Sequence, residues 1–324
     1  MRKLISLFLI GSIILFLGVD TALAQKKVRV AMFLWRYEAP GVPFSGAEEG
    51  FVDGLKQAGY DVDYEIFMAD MKKEKLQEMW DALDPKKFDM LYAFGTTVAQ
   101  LISKDTKGLP FVFTQVTYPV KSGVVQSFEK PGGMSTGTTH RVSVEANFNA
   151  FTKVIPNIKT LGMIYCTGEN NSVLDYEGVK ALAAKSGIKF VAEGVSAQAE
   201  IKGAFDRIAA QKPDGMYMPS CSFTKSYGAE YVAYANKLKI PTLAGTEAFV
   251  TQQGALMGLV GSYYKTGQES AKKAVKILQG AKPSDVPTTF LPEFDYVLNL
   301  KTAKEIGVTF PISILRAASK IIKE

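Results

Sequence analysis

The chain is poor in the side chains that hold metals and build disulfide frameworks: one histidine, His140, and two cysteines, Cys166 and Cys221, stand in 324 residues. A lone histidine without a Cys-x-x-Cys or His-x-x-x-His partner leaves no structural zinc site, and no metal is expected. Two cysteines permit at most one bridge. They fall at equivalent exits of two strands expected to be neighbours about 5 Å apart, so a disulfide and a pair of free thiols stand as equal alternatives. There is no Gly-x-Ser-x-Gly elbow and no second histidine to serve a nucleophile, and no paired acids stand at matched strand ends. No catalytic residue and no cofactor is therefore expected, and a carboxylate-dependent enzyme remains the less supported alternative. Blocks of like charge are also missing. Lysines alternate with acids, as in Lys72-Lys73-Glu74-Lys75, and the formal net charge of +6 forms no stripe of the kind that binds nucleic acid.

Long apolar runs are absent, with one exception. Arg2 and Lys3 precede an apolar stretch from Leu4 to Val19, and Ala22-Leu23-Ala24 fits a signal-peptidase site. The stretch is shorter than the roughly 20 residues a spanning helix needs, and no cysteine near the cleavage point offers a lipid anchor. Residues 1–24 are expected to be removed after Ala24, leaving a soluble chain in the periplasm.

What remains has the composition of an ordinary globule, 47% hydrophobic and 22% charged, with a length that suits two domains. Strands and helices alternate. Residues 28–34 read as a buried strand, and Phe44, Ala47, Phe51, Leu55 and Ala58 then recur at helical spacing until Gly59 closes the helix. A strand near 62–67, a helix near 72–83, a strand at 89–94, a helix from 96 and a strand at 111–116 follow. The same order of units returns later: Lys56-Gln57-Ala58-Gly59-Tyr60 has its counterpart in Ala184-Lys185-Ser186-Gly187-Ile188, Asp89-Met90-Leu91-Tyr92 in Asp214-Gly215-Met216-Tyr217, and Leu109-Pro110 in Ile240-Pro241. The predicted fold is α/β, two Rossmann-like lobes with parallel sheets joined by a hinge. Residues 25–140 with about 262–288 form the first lobe; 141–261 with about 289–324 form the second. On this division the helix 264–278 packs on the first lobe, although it follows the second.

In open parallel sheets ligands gather beyond the carboxyl ends of the strands. The first strand exits into Trp35-Arg36-Tyr37, where Trp35 reads equally as a stacking surface and as a buried lid. The third exits into Gly95, Thr96 and Thr97 at a helix start, with Thr96 as N-cap and the free N–H groups as a cradle for an anion. Thr117 and Tyr118 follow the strand 111–116. In the second lobe the strand 161–165 leads to Asn171 and Ser172, one or the other of which is read as the cap of the next helix, and the strand 215–218 leads to Ser222 and Phe223.

Taken together these positions resemble the ABC transporter substrate-binding family whose characterised members include tryptophan- and tyrosine-binding receptors with a type I periplasmic-binding fold. The resemblance runs over the whole mature chain. It rests on Gly95-Thr96 with Ala99-Gln100, Thr117 with Pro119-Val120, Pro131-Gly132-Gly133 with Thr136-Gly137, and Asn171-Ser172. It continues through Glu247 with Gly254-Ala255 and the terminal Asn299, Ala303, Gly307, Pro311 and Ala317. Tyr118, Cys221-Ser222 and Met134 depart from the family pattern, the first two where acids are common, which leaves Glu247 as the plainest anionic candidate for a ligand amine. The resemblance implies a monomeric periplasmic receptor that closes on a small organic ligand, an aromatic or apolar amino acid or related acid, and passes it to an inner-membrane ABC permease. A sensor that reports the same ligand to a membrane kinase or cyclase would use the same clamp.

Overall fold

The computed structural model describes residues 26–36 and 46–323. The expected leader peptide, Tyr37 and Phe44 lie outside these residues. The chain begins with β1 (Lys26–Leu34), α1 (Ala47–Gln57), β2 (Tyr60–Met68), α2 (Lys73–Ala82), β3 (Met90–Phe94), α3 (Thr96–Ile102), β4 (Phe111–Thr114) and β5 (Ser135–Thr139). A second series follows: α4 (Val144–Thr152), β6 (Thr160–Cys166), α5 (Asn170–Lys185), β7 (Lys189–Val195), α6 (Ile201–Ala209), β8 (Gly215–Met218), α7 (Ser222–Lys237), β9 (Thr242–Ala244), α8 (Glu247–Thr251) and β10 (Met257–Val260). The chain ends with α9 (Tyr263–Leu278), β11 (Thr289–Phe290), β12 (Asp295–Asn299), α10 (Leu300–Ile306), α11 (Ile312–Ala317) and β13 (Ala318–Ile322).

Two sheets result, ordered β11-β5-β4-β3-β1-β2 and β13-β12-β10-β9-β8-β6-β7. All neighbours are parallel except β10 and β12. β1 shows why: Val28, Val30, Met32 and Leu34 enter one apolar cluster and Ala31 and Phe33 another, so the strand is buried on both faces, as a parallel strand covered by helices must be. The chain passes between the sheets after β5, after β10 and after β11. The first two passages touch, since a Cβ on Gly261 would lie 2.5 Å from the His140 carbonyl oxygen.

α9 docks against α1 with almost no side chain between them. A Cβ on Gly50 would meet the Tyr264 carbonyl oxygen at 2.1 Å, and one on Gly267 would meet that of Ala47 at 2.0 Å. The glycines let the two helix backbones touch. No described helix is long and apolar enough to cross a membrane.

Three local expectations are revised. β4 stops at Thr114 and does not reach 116, because Gln115 adopts a left-handed backbone with φ 58°. Gly95 is the N-cap of α3 and Thr96 its first helical residue; φ 94° with ψ 154° at Gly95 is a conformation open almost only to glycine. α5 starts at Asn170 with Glu169 in the capping position, and the Ser172 hydroxyl turns back to accept from the Cys166 N–H at 2.8 Å. The sequence also offered no strand at β5, whose hydroxyl-rich residues are nonetheless all buried.

Both cysteines are free and buried. Burial pushes both thiols up, and Cys221 Sγ lies 2.9 Å from the Thr224 hydroxyl. Thiol titration is expected to find two reactive groups in denaturant without reductant and very slow reaction in the native protein; no thiol in denaturant would mean a bridge.

Candidate functional site

Four adjacent strands of the first sheet end on one edge, and each exit supplies a polar side chain to one cavity. β1 leads to Trp35, β3 to Thr96 and Thr97, β4 to Gln115 and Thr117, and β5 to His140. Across from them the second lobe presents Glu169 and Asn171 after β6, Ser220, Cys221 and Ser222 after β8, and Lys225 in the first turn of α7. Tyr263, the first residue of α9, and Phe94 complete the wall. The cavity between these walls is small, about 20 Å³.

The two halves of the wall differ in how their polar atoms are satisfied. On the first lobe and the passage to the second, Trp35 Nε1, Thr96 Oγ1, both amide atoms of Gln115 and His140 Nδ1 are buried with no hydrogen-bond partner among the described residues. Each such group costs on the order of 1–3 kcal/mol when it is left unpaired. On the second lobe the polar groups have partners. Glu169 receives the N–H groups of Ser222 and Phe223 at 3.0 and 2.8 Å and so caps α7. Asn171 Nδ2 donates to the Ser220 carbonyl at 2.6 Å, and Lys225 Nζ donates to the Tyr263 hydroxyl at 2.7 Å.

Charge and burial set the protonation of this site. Burial raises the Glu169 carboxyl, opposed by its two backbone donors and by the charges of Lys225 and Arg36. Burial, aided by Lys225 and Arg141, pushes His140 down to about 3, so its ring is neutral and shares a hydrogen bond of 3.2 Å with the Ser220 hydroxyl through Nε2.

Bonds that cross between the lobes hold the cavity shut. Tyr118 donates to Asp175 Oδ1 at 2.7 Å, and the Arg141 guanidinium stacks 4.0 Å from the Tyr118 ring. Arg36 donates to the Ser226 hydroxyl at 3.2 Å. Asp175, which also accepts from the Ser220 N–H, is pushed up to about 6 by its burial, against the lowering effects of Tyr118, Ser220 and Arg141.

Of the residues singled out in the sequence, Trp35, Gly95, Thr96, Thr97, Thr117, Asn171 and Ser222 line the cavity. Tyr118 stands outside it, at the contact with Asp175. Ser172 is spent on the Cys166 backbone, and Phe223 faces an outer groove with Tyr227, while its N–H serves Glu169. Glu247 lies apart on α8, paired with Lys320 at 2.8 Å. The carboxylate at the cavity is Glu169. Gln115, His140, Glu169, Lys225 and Tyr263 were not singled out. A glutamine directly after the buried run Phe111-Val112-Phe113-Thr114 was the one available signal, since a buried amide needs a partner. Among the described residues no cluster of histidine, cysteine and acids is arranged for a metal.

Residues 39–322 match the family model described as ABC transporter substrate binding protein. A tyrosine-binding protein of Clostridioides difficile (strain R20291) is 31% identical over 268 residues, 81% of this chain and 76% of that one. The ABC domain from Streptococcus pneumoniae in complex with L-Trp superposes with a TM-score of 0.81 at 26% identity, over 92% of this chain and all of that one. A substrate binding protein with adhesive properties from Clostridium difficile, in its ligand-free, open form, superposes less well at 28% identity, with a TM-score of 0.71 over the same share of this chain and 100% of that one. At nearly equal identity, this chain is closer in shape to the ligand-bound relative than to the open one.

Proposed function

Because the chain belongs to the family of ABC transporter substrate-binding proteins, with two lobes in the type I periplasmic-binding arrangement, we propose that it captures a free α-amino acid between the lobes. It then delivers that ligand to an ABC permease in the inner membrane. The observation that carries this reading is the asymmetry of the cavity: buried polar atoms without partners among the described residues on one wall, a carboxylate and an ammonium on the other. In this reading the Glu169 carboxylate meets the ligand ammonium, and Lys225 and Thr97 meet the ligand carboxylate. Trp35, Phe94 and Tyr263 supply an apolar surface for a flat side chain. The relatives that bind tyrosine and L-Trp support an aromatic ligand. Delivery to a permease requires export, which the apolar leader and its cleavage motif would provide, placing the mature protein in the periplasm as a monomer.

The test is thermal unfolding of refolded, ligand-stripped protein against each of the twenty L-amino acids. A ligand at a hundred times its Kd adds about 2.7 kcal/mol, enough to raise Tm by several degrees. L-Trp or L-Tyr is expected to give that rise. A folded protein that none of the twenty stabilises would sink the reading.

A further inference from the structure

The polar atoms without partners form a row. Trp35, Thr96, Gln115 and His140 leave β1, β3, β4 and β5, which are consecutive and parallel in the first sheet. At about 4.8 Å per strand the row extends over roughly 14 Å. The ammonium and carboxylate of an amino acid sit on one carbon and its neighbour and cover a fraction of that length. The rest of the row must meet the side chain.

Gln115 stands inside this row and is unusual on two counts. Its side chain is 6% exposed with both amide atoms unpartnered, and its backbone is left-handed, a conformation that non-glycine residues rarely hold. A methionine of the same length would fill the space without either unpaired atom, so packing does not require the amide. Both costs are offset when a ligand supplies a donor or an acceptor to the carboxamide.

Resting on the amino-acid reading above, we infer that Gln115 is a specificity-determining residue. Its carboxamide pairs with a hydrogen-bonding heteroatom on the ligand side chain, so the site takes a phenol, an indole N–H or another polar side chain and rejects an all-hydrocarbon one. Sites built to hydrogen-bond a substrate group discriminate strongly against analogues that lack it, because their own buried groups are then left unpaired. In the ligand-free protein the same unpaired amide opposes closure of the lobes.

Calorimetric titration with L-Tyr, L-Trp and L-Phe tests the inference on the parent and on Gln115→Met. The parent is expected to bind L-Tyr or L-Trp at least tenfold more tightly than L-Phe, and Gln115→Met to narrow that gap to under threefold. Gln115→Asn, which tolerates the left-handed backbone but draws the amide back, is expected to do the same and serves if the methionine variant does not fold. If none of the three binds, the comparison is repeated between amino acids with polar side chains and Leu, Ile and Val. L-Phe bound as tightly as L-Tyr and L-Trp, or a gap unchanged by either substitution, overturns the assignment. A parent that binds no amino acid fails the wider reading instead. Small-angle scattering of the ligand-free proteins then decides for Gln115: a shift of Gln115→Met toward the compact form upholds its pairing role, and identical profiles overturn it.

Discussion

Trp35→Ala is expected to lower stability by about 3–5 kcal/mol and to weaken ligand binding by at least about thirtyfold, roughly 2 kcal/mol. Two roles meet in this side chain. Its ring is 4% exposed and belongs to the apolar cluster with Phe33, Trp80, Phe111 and Phe113, so its removal opens a large cavity under the first sheet. Its Nε1 is one of the buried atoms without a partner among the described residues, and its Cβ lies against the position where Gly95 lacks one. Trp35→Phe separates the roles: most of the packing stays and the donor goes. Urea unfolding should then show a loss of about 1–2 kcal/mol, well below that of the alanine variant, while calorimetry still shows weakened binding. If Trp35→Phe binds the ligand as tightly as the parent, the ring is a packing element and its place in the cavity wall is incidental.

The second large effect is a pair of opposed pH dependences. Asp175 has its folded-state value raised from 3.8 to about 6, so its contribution to stability is fully present below about pH 4 and is lost as pH rises through about 6. The shift corresponds to about 3 kcal/mol. His140 is the reverse case. Its value falls from 6.5 to about 3, so its contribution is present above about pH 6.5 and is lost as pH falls toward 3, by roughly 4–5 kcal/mol. Over the window from about pH 6 down to 4 the two groups largely offset each other. Urea midpoints of the parent should vary little there. Asp175→Asn should make the protein more acid-labile, and His140→Asn should make it more stable in acid than at neutral pH. Single variants whose pH profiles match the parent would show that neither group is buried in solution as it is here.

The α/β alternation was legible in the sequence because parallel strands covered on both faces are written as short apolar runs, as at Val28–Leu34 and Met90–Phe94. β5 was not. Its Ser135 and Thr136 hydroxyls are satisfied by the carbonyls of Val124 and Val286, so a buried strand carries no apolar pattern at all. The rule that ligands gather at strand exits led directly to Trp35, Thr96, Thr117, Asn171 and Ser222 on the cavity wall. It failed to separate residues within an exit. Tyr118 and Gln115 lie three positions apart; Gln115, at a left-handed turn, lines the cavity, and Tyr118 turns away to Asp175. Which acid would face the cleft was equally hidden. Glu247 and Glu169 both stand at helix starts, but Lys320, distant in sequence, draws the first away, and the N–H groups of α7 draw the second in.

The helix contact made through Gly50 and Gly267 bears on the order in which the protein is assembled. α1 is among the first elements to leave the ribosome, and its partner α9 is made only after β6 to β10 of the second sheet. Until then the first lobe has an uncovered face, and its sheet still lacks β11. The second sheet in turn waits for β12 and β13 at the end of the chain. Neither lobe is one continuous segment of the chain, so the strictly sequential, domain-by-domain folding common in larger chains does not apply to it. Contacts of such long sequence separation make folding slow and keep apolar surface open for longer. The apolar faces of both sheets therefore stay open through most of the chain's synthesis, and they close only when α9, β11, β12 and β13 arrive.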